Sequence, residues 1–380
     1  MSEHNLQNLN MYMNTPLLKA VDFFCGAGGM TNGLLQAGLD VVAGVDNHLP
    51  CSQTYQHKTN NVRPNGTTSR FLHKDINSLT ADNLLELTKL KRRDDNLVLV
   101  GCSPCQFWSK VNTDKNKSAQ GKRLIDHFRD LVLDILPAYV VVENVPGLFT
   151  RANDSGLDEF RNSLRSAALP YHIAEGVVSV AFHGVPQKRR RYTLIATRLP
   201  GKISLPEATA TAGTWPDEMA VKNFLGNSNG FASIPAGYKD PSGFHHSSAI
   251  LHPQNLERIK LTEKNGGKRS AWRNNAELMI PAYVGKDEDF PDVYGRMSWD
   301  EPAPTITTKF NSLSNGRFGH PEEDRAISLR EGATLQTFPK NYTFVGGQLE
   351  IARQIGNAVP PELARRIGHQ LLTHWTANQH

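Results

Sequence analysis

The chain has 380 residues, 39% of them hydrophobic and 21% charged, with a net charge of +5. That is the composition of a folded globular chain of about two domains, and the slight basic excess leans towards a polyanionic partner. No apolar run approaches the roughly 20 residues of a membrane span, the polar N-terminal stretch lacks a secretory apolar segment, and four cysteines cannot make a disulfide scaffold. A reduced, cytoplasmic setting is expected.

Short Val-rich runs separated by amphipathic stretches occupy the first two hundred residues: Ala20–Phe24, Val41–Val45, Leu97–Val100, Tyr139–Val142, Val177–Val180 and Tyr192–Ala196. Such runs read as strands of a parallel sheet covered on both faces, hence a doubly wound α/β domain. Leu124–Leu136 has apolar residues three and four apart and reads as a crossover helix. From about 199 to 320 Pro, Gly, Ser and Asn are frequent and no periodicity persists. That stretch is a second irregular domain or a set of long loops. Helical patterning returns at Leu329–Phe338 and Pro361–Trp375.

Asp22-Phe-Phe-Cys-Gly-Ala-Gly-Gly29 follows the first strand and precedes a helix-like segment. Glycines there let a ligand approach the backbone and the helix N-terminus. Asp46 ends the next strand, where a carboxylate reaches ribose hydroxyls. Asp75, followed by Ile76, stands at the end of a third strand, placed to accept from an adenine amino group. The spacing is not G-x-G-x-x-G, which points away from NAD and towards an adenosyl ligand. A plain tight turn with two solvated acids is the alternative.

Leu97–Val100 runs into Gly101-Cys-Ser-Pro-Cys-Gln-Phe-Trp-Ser109. Cys102 and Cys105 could be a dithiol redox pair, one of them a lone nucleophile, or both simply buried. A basic stretch, Gln106–Arg123, follows with Lys110, Lys115, Lys117, Lys122 and Arg123 against Asp114, and reads as a flexible loop suited to a phosphate-rich substrate. No metal is expected, because no second Cys/His pair has zinc-ligand spacing. The next strand ends in Glu143-Asn144-Val145, where a buried carboxyl could act as an acid. In Gln187-Lys-Arg-Arg-Arg191, Arg189 and Arg191 alternate and share a side if the segment is extended.

In this order, DFFCGAGG, SPCQFWS, ENV, QKRRR, REGATLQTFP and GNAVPP resemble the motif set of the C5-cytosine DNA methyltransferase family, across nearly the whole chain. The resemblance implies a Rossmann-like methyltransferase sheet with a smaller irregular target-recognition domain. It divides the chain into a tail (1–15), a catalytic and cofactor-binding domain (16–198), a recognition domain (199–325), a connecting segment (326–345) and a C-terminal helix returning to the catalytic domain (346–380). It implies S-adenosylmethionine as cofactor, S-adenosylhomocysteine as product, and double-stranded DNA as partner. Phe24, Gly26, Gly28, Gly29, Asp46, Asp75, Ile76, Pro104, Leu124 and Asn357 are then the cofactor residues. Cys105 is the nucleophile, Glu143 holds N3 and the exocyclic amine of a flipped cytosine, and Arg191 with Arg189 holds the O2 side.

Gln106, Ser109 and Lys110 are expected to meet DNA from the loop after the nucleophile, and Thr305 from the Thr-containing segment that closes the recognition region. Within that region the basic cluster Glu257–Arg273 offers Arg269 beside a turn, and Arg296 is a second candidate for reading bases. A monomer acting in restriction-modification, with a restriction endonuclease for the same site, or acting as an orphan enzyme, is the expected setting. Methylation of cytosine in tRNA, a non-catalytic DNA-binding relative, and a thiol oxidoreductase are the competing readings.

Overall fold

The computed structural model describes residues 17–103, 115–209, 213–285 and 291–379, with only the backbone of 115–120. Its sheet has seven strands in the order β3-β2-β1-β4-β5-β7-β6. They are β1 (Lys19–Phe23), β2 (Asp40–Asp46), β3 (Arg70–His73), β4 (Leu97–Gly101), β5 (Tyr139–Asn144), β6 (His172–Ser179) and β7 (Arg190–Thr197). The first five are parallel to one another.

The all-parallel expectation fails at the other edge. β7 inserts between β5 and β6 and is antiparallel to both. The residues joining β6 to β7 are too few for a parallel crossover, which needs a dozen or more, so the chain turns back as a hairpin.

Alternation along each strand divides the core in two. Val21, Phe23, Leu97, Leu99 and Val140 face one side, against Phe128, Val132 and Ile135 of one helix and Phe160 and Leu164 of another. Ala20, Val98, Val100, Tyr139 and Val141 face the other, against Leu34 and against Leu363, Ile367 and Leu371. The described helices of seven or more residues are α1 (Gly29–Ala37), α2 (Ala81–Thr88), α3 (Lys115–Ile135), α4 (Leu157–Arg165), α5 (Pro253–Leu261), α6 (Leu329–Leu335), α7 (Gln348–Asn357) and α8 (Pro361–Ala377), of which α1 to α4 and α8 cover the sheet.

Helix α3 begins at Lys115, within the stretch read as a flexible basic loop. Its first residues, KNKSAQGKR, carry no apolar stripe, so periodicity could not reveal them, although Lys, Ala and Gln are good helix formers. Helix α8 lies directly on α1. A Cβ on Gly33 would come within 2.1 Å of Pro361 O, and one on Gly368 within 2.6 Å of Ala37 Cβ. The return of the C-terminus to the sheet thus depends on two side-chain-free surfaces.

Between residues 213 and 328 the described chain is mostly short single turns, with α5 as its longer helix. Apolar side chains still gather there. Val221, Phe231, Phe310 and Phe318 pack with Leu329, Phe338, Tyr342 and Ile355, while Ile259, Trp272, Leu278 and Tyr294 form a separate cluster.

Candidate active site

The strand order reverses between β1 and β4, so the crevice at their carboxyl ends is where an open α/β sheet receives a ligand. The glycine turn leaves β1 there. Phe24 (φ 59°), Gly26 (φ 50°) and Gly28 (φ 90°) all lie in the left-handed region. The Phe24 N–H donates to Val45 O at 2.7 Å, which ties the turn to β2.

The glycines divide by what surrounds them. A Cβ on Gly26 would have nothing within 4 Å, whereas one on Gly28 would lie 2.3 Å from Asn61 Nδ2 and one on Gly29 2.3 Å from Val359 O. Gly26 therefore faces open space, and Gly28 and Gly29 serve close packing. Asp46 is committed in part: Oδ2 accepts from Gly26 N at 2.8 Å and Oδ1 from His48 N at 2.7 Å. A carboxylate has about four lone-pair sites, so it can still take further donors.

Asp22, beneath the turn, accepts from Thr31 N at 3.2 Å and Thr31 Oγ1 at 2.7 Å. Burial pushes its carboxyl up to about 7, against the Thr31 bonds and with help from the Asp46 charge. Tyr342, from beyond α6, donates to Ala27 O within the turn.

Asp75 is exposed and caps the turn after β3, accepting from Asn77 N at 2.9 Å. Ile76 is buried in the core under it. Leu124 is half-buried and lines a small apolar pocket with Phe24, Gly101, Ser103 and Phe128. Asn357 is exposed at the end of α7. Pro104, Cys105, Gln106, Ser109 and Lys110 lie outside the described residues.

The neighbouring strand end holds the acid. Glu143 closes β5 at 3% exposure, and its Oε1 lies 3.0 Å from Arg191 Nε on β7. Desolvation raises the Glu143 pKa, and the cationic Arg191 and Arg189 oppose the rise. Sequence reasoning missed the role of the next residue. Asn144 is fully buried, and its Nδ2 donates to Ser103 O at 3.0 Å and Ser103 Oγ at 2.9 Å. Its place beside Glu143 was the available signal.

Arg189 and Arg191 are both buried while Arg190 is exposed, as alternation requires. Their duties differ. Arg189 donates to Ile306 O at 3.1 Å, to Gln336 Oε1 at 3.3 Å and to Ala358 O at 3.4 Å. It ties three segments together while adding positive potential at Glu143. Gln187, fully buried, joins the same segments. Its Nε2 donates to Leu335 O and Gln336 Oε1, both at 2.7 Å, and its Oε1 accepts from Ile306 N at 2.9 Å. Thr305 sits beside it, 3.5 Å from Lys188 O.

Two base-reading candidates need correction. Arg296 is 0% exposed and donates to Thr262 O, His320 O, Glu323 O and Ile259 O, besides pairing with Asp324. Arg269 is 3% exposed with its guanidinium 4.2 Å from the centre of the Tyr283 ring. Both lie inside residues 213–328, and Arg296 ties that stretch together there, because an arginine's five donors can satisfy the carbonyls of a segment with little regular secondary structure. An open cleft is lined by Thr305, Thr307 and Asn315 with three cations, the exposed Lys268 and the half-buried Lys188 and Arg317, which pair with Glu301 and Asp292.

The turn, the buried Glu–Arg pair and the cleft occur within one continuous match: the family model for C-5 cytosine-specific DNA methylase covers residues 18–373. The chain belongs to the C-5 cytosine-specific DNA methylase family. As a member it is a DNA cytosine methyltransferase. It is 37% identical over 363 residues to the Type II methylase M.HgiDII of Herpetosiphon aurantiacus, covering 92% of this chain and 94% of that one. It is 30% identical over 357 residues to the Type II methyltransferase M1.HphI of Haemophilus parahaemolyticus, covering 93% and 87%. Among solved structures, a protein described as a DNA modification methyltransferase encoded within an Escherichia coli prophage superposes with TM-score 0.67 at 21% identity, over 94% of this chain and 99% of that one. The Dnmt2 methyltransferase of S. pombe superposes with TM-score 0.58 at 17% identity, over 94% and 98%. These two likenesses concern the fold, and they agree with the Rossmann-like methyltransferase sheet expected of this family. No described helix is long and apolar enough to cross a membrane.

Proposed function

We propose that this DNA cytosine methyltransferase acts on one short sequence in double-stranded DNA, through a covalent adduct between Cys105 and a cytosine flipped out of the duplex. The observation that carries the reading is the Glu143–Arg191 pair, buried at the end of the strand beside the one that leads to Cys105.

C5 of cytosine is a weak nucleophile. The Cys105 thiolate adds to C6, and the ring electrons move to C5 as an enamine-like carbanion. Glu143, whose burial favours its protonated form, donates to N3 and accepts from the exocyclic amine, drawing charge away from the ring. Arg191 sets how tightly Glu143 holds that proton and offers positive potential on the O2 side. C5 then takes up the methyl group. Loss of the C5 proton to a solvent base and expulsion of the thiolate restore the aromatic ring. Flipping costs a few kcal/mol of stacking and pairing, which contacts in the cleft must offset.

The family's methyl donor, S-adenosylmethionine, supplies an electrophilic methyl. The open face of Gly26 and the lone pairs left on Asp46 fit it, with Phe24 and Leu124 as an apolar wall and Asp75 and Asn357 at the rim. Lys188, Lys268 and Arg317 provide phosphate contacts, and Gln106, Ser109, Lys110 and Thr305 meet the DNA on the catalytic side. The Type II names of the relatives support a restriction-modification setting. The reading includes a monomeric enzyme and an endonuclease for the same site.

The test is bisulfite sequencing of a mixed-sequence plasmid incubated with purified protein and S-adenosylmethionine. Protected cytosines in one recurring short sequence support the reading and reveal the target. Protection of tRNA with none of DNA overturns it, as does protection without sequence preference.

A further inference from the structure

A second cluster joins the turn after β2 to helix α7. His48, Cys51 and Glu350 each present one ligand-type atom, and the three atoms lie within 4.8 Å of one another. His48 Nε2 is 2.9 Å from Glu350 Oε1, and Cys51 is buried beside them at 4% exposure. We propose that His48, Cys51 and Glu350 form a site for one divalent cation of the zinc class, latching the loop after β2 to helix α7.

The donor set argues for that class. Imidazole nitrogen, thiolate sulfur and carboxylate oxygen are the three ligand types zinc takes, and three protein ligands leave a fourth tetrahedral position for water. A thiolate and a carboxylate together balance the charge of the ion. The Cys51 proton goes to solvent as the ion binds. Burial, and after it the Asp46 and Glu350 charges, pushes the Cys51 thiol up, so its proton leaves only as the ion binds, and the two carboxylates favour a cation there. Arg353 opposes them, with Nη1 3.9 Å from Glu350 Oε2, but its side chain is 57% exposed and can turn to water.

The segments that bring the ligands together are held in place by other contacts. Thr54 Oγ1 donates to Gln354 Oε1 at 2.8 Å and accepts from Val345 N at 2.8 Å. Asn60 Nδ2 donates to Thr343 O at 2.7 Å. Gln354 Nε2 also reaches Glu350 Oε1 at 3.4 Å, the kind of supporting contact that orients a metal ligand. His48 is 35% exposed at its side chain, which gives the ion a way in. The imidazole–carboxylate contact must open when the ion binds, each partner exchanging the other for the metal.

His48 stands 302 residues from Glu350 in the chain, so ligand spacing in the sequence cannot show this site. Its neighbourhood gives it consequence. The backbone N–H of His48 fixes Asp46 Oδ1 at 2.7 Å, and α7 ends at Asn357. A bound ion therefore clamps two segments that both border the glycine turn.

Cobalt titration of the metal-stripped full chain tests the site, in a Cys105→Ala background so that this thiol contributes nothing. One equivalent of Co²⁺ should produce a thiolate-to-cobalt charge-transfer band with the intense visible bands of four-coordination, and zinc should bleach both. His48→Gln, Cys51→Ser and Glu350→Gln, each in that background, should lose the charge-transfer band or the four-coordinate spectrum. Zinc should raise the Tm of the parent and leave that of the three variants unchanged. Absence of the band in the parent overturns the proposal, and so does a band that survives Cys51→Ser, since the thiolate then comes from elsewhere. If Cys51→Ser fails to fold, the partly exposed His48 and Glu350 decide. An unchanged spectrum in both variants overturns the site.

Discussion

The Asn144 side chain holds Ser103 by two hydrogen bonds, to its carbonyl oxygen at 3.0 Å and to its hydroxyl at 2.9 Å. The end of the acid's strand thus grips the chain two residues before Cys105. One buried amide therefore ties the residue after Glu143 to Ser103, at the end of the segment that leads to the proposed nucleophile.

That grip makes Asn144 a positioning residue. Asn144→Ala should lower the methylation rate by about 100-fold, the typical consequence of a misplacement near 1 Å. S-adenosylmethionine affinity, measured by calorimetry, should stay within a few-fold of wild type. A parallel loss of cofactor binding would mean that the variant damages the sheet instead.

The raised pKa of Glu143 sets the pH behaviour. A step that needs the protonated carboxyl proceeds below the folded pKa and fails as pH rises through it. The kcat/KM profile, which reports groups of the free enzyme, should therefore have an alkaline limb. Arg191 and Arg189 hold that pKa down, so Arg191→Ala should move the limb to higher pH while lowering the plateau. A limb that moves to lower pH would contradict the assignment.

The glycines of the turn should fail in different ways. Gly26→Ala incurs the left-handed penalty of about 1–2 kcal/mol and meets no atom within 4 Å, so its main effect should be weaker cofactor binding. Gly28→Ala adds a collision with Asn61 and should lower Tm much further. Thermal melts and cofactor titrations of the two variants distinguish the roles.

Arg296→Ala removes a fully buried donor to four backbone carbonyls, while its partner Asp324, about a third exposed, keeps Lys264. It should destabilise the protein by about 1–3 kcal/mol, the usual consequence of leaving buried acceptors unsatisfied. The folded remainder should methylate the same sequence as wild type. Lys268→Ala, in the cleft, should leave Tm unchanged and reduce the salt slope of DNA binding by about 1.

Much of this was legible in the residues. Val-rich runs named six of the seven strands, and an acid at the third strand's end pointed to the last, because a strand buried on both faces must be apolar throughout. Motif order named the family, because the chemistry demands a thiol, an acid and a glycine turn at successive strand ends. Local sequence also marked the glycine turn and its two acids.

Other features depend on what the folded chain brings together. The direction of β7 followed from a connection too short to cross over. Gly28 and Gly29, expected to line a cofactor, also leave room for Asn61 and Val359 to pack close, which their spacing could not show. Arg269 and Arg296 looked like surface cations and lie inside, Arg269 against the Tyr283 ring and Arg296 among backbone carbonyls that few helices and strands leave in need of a donor. His48 and Glu350 meet across nearly the whole chain. Sequence carries local conformation and the types of residue that chemistry requires. Which side chain is buried, and against what, is settled when distant segments compete for the same volume and the same hydrogen-bond partners.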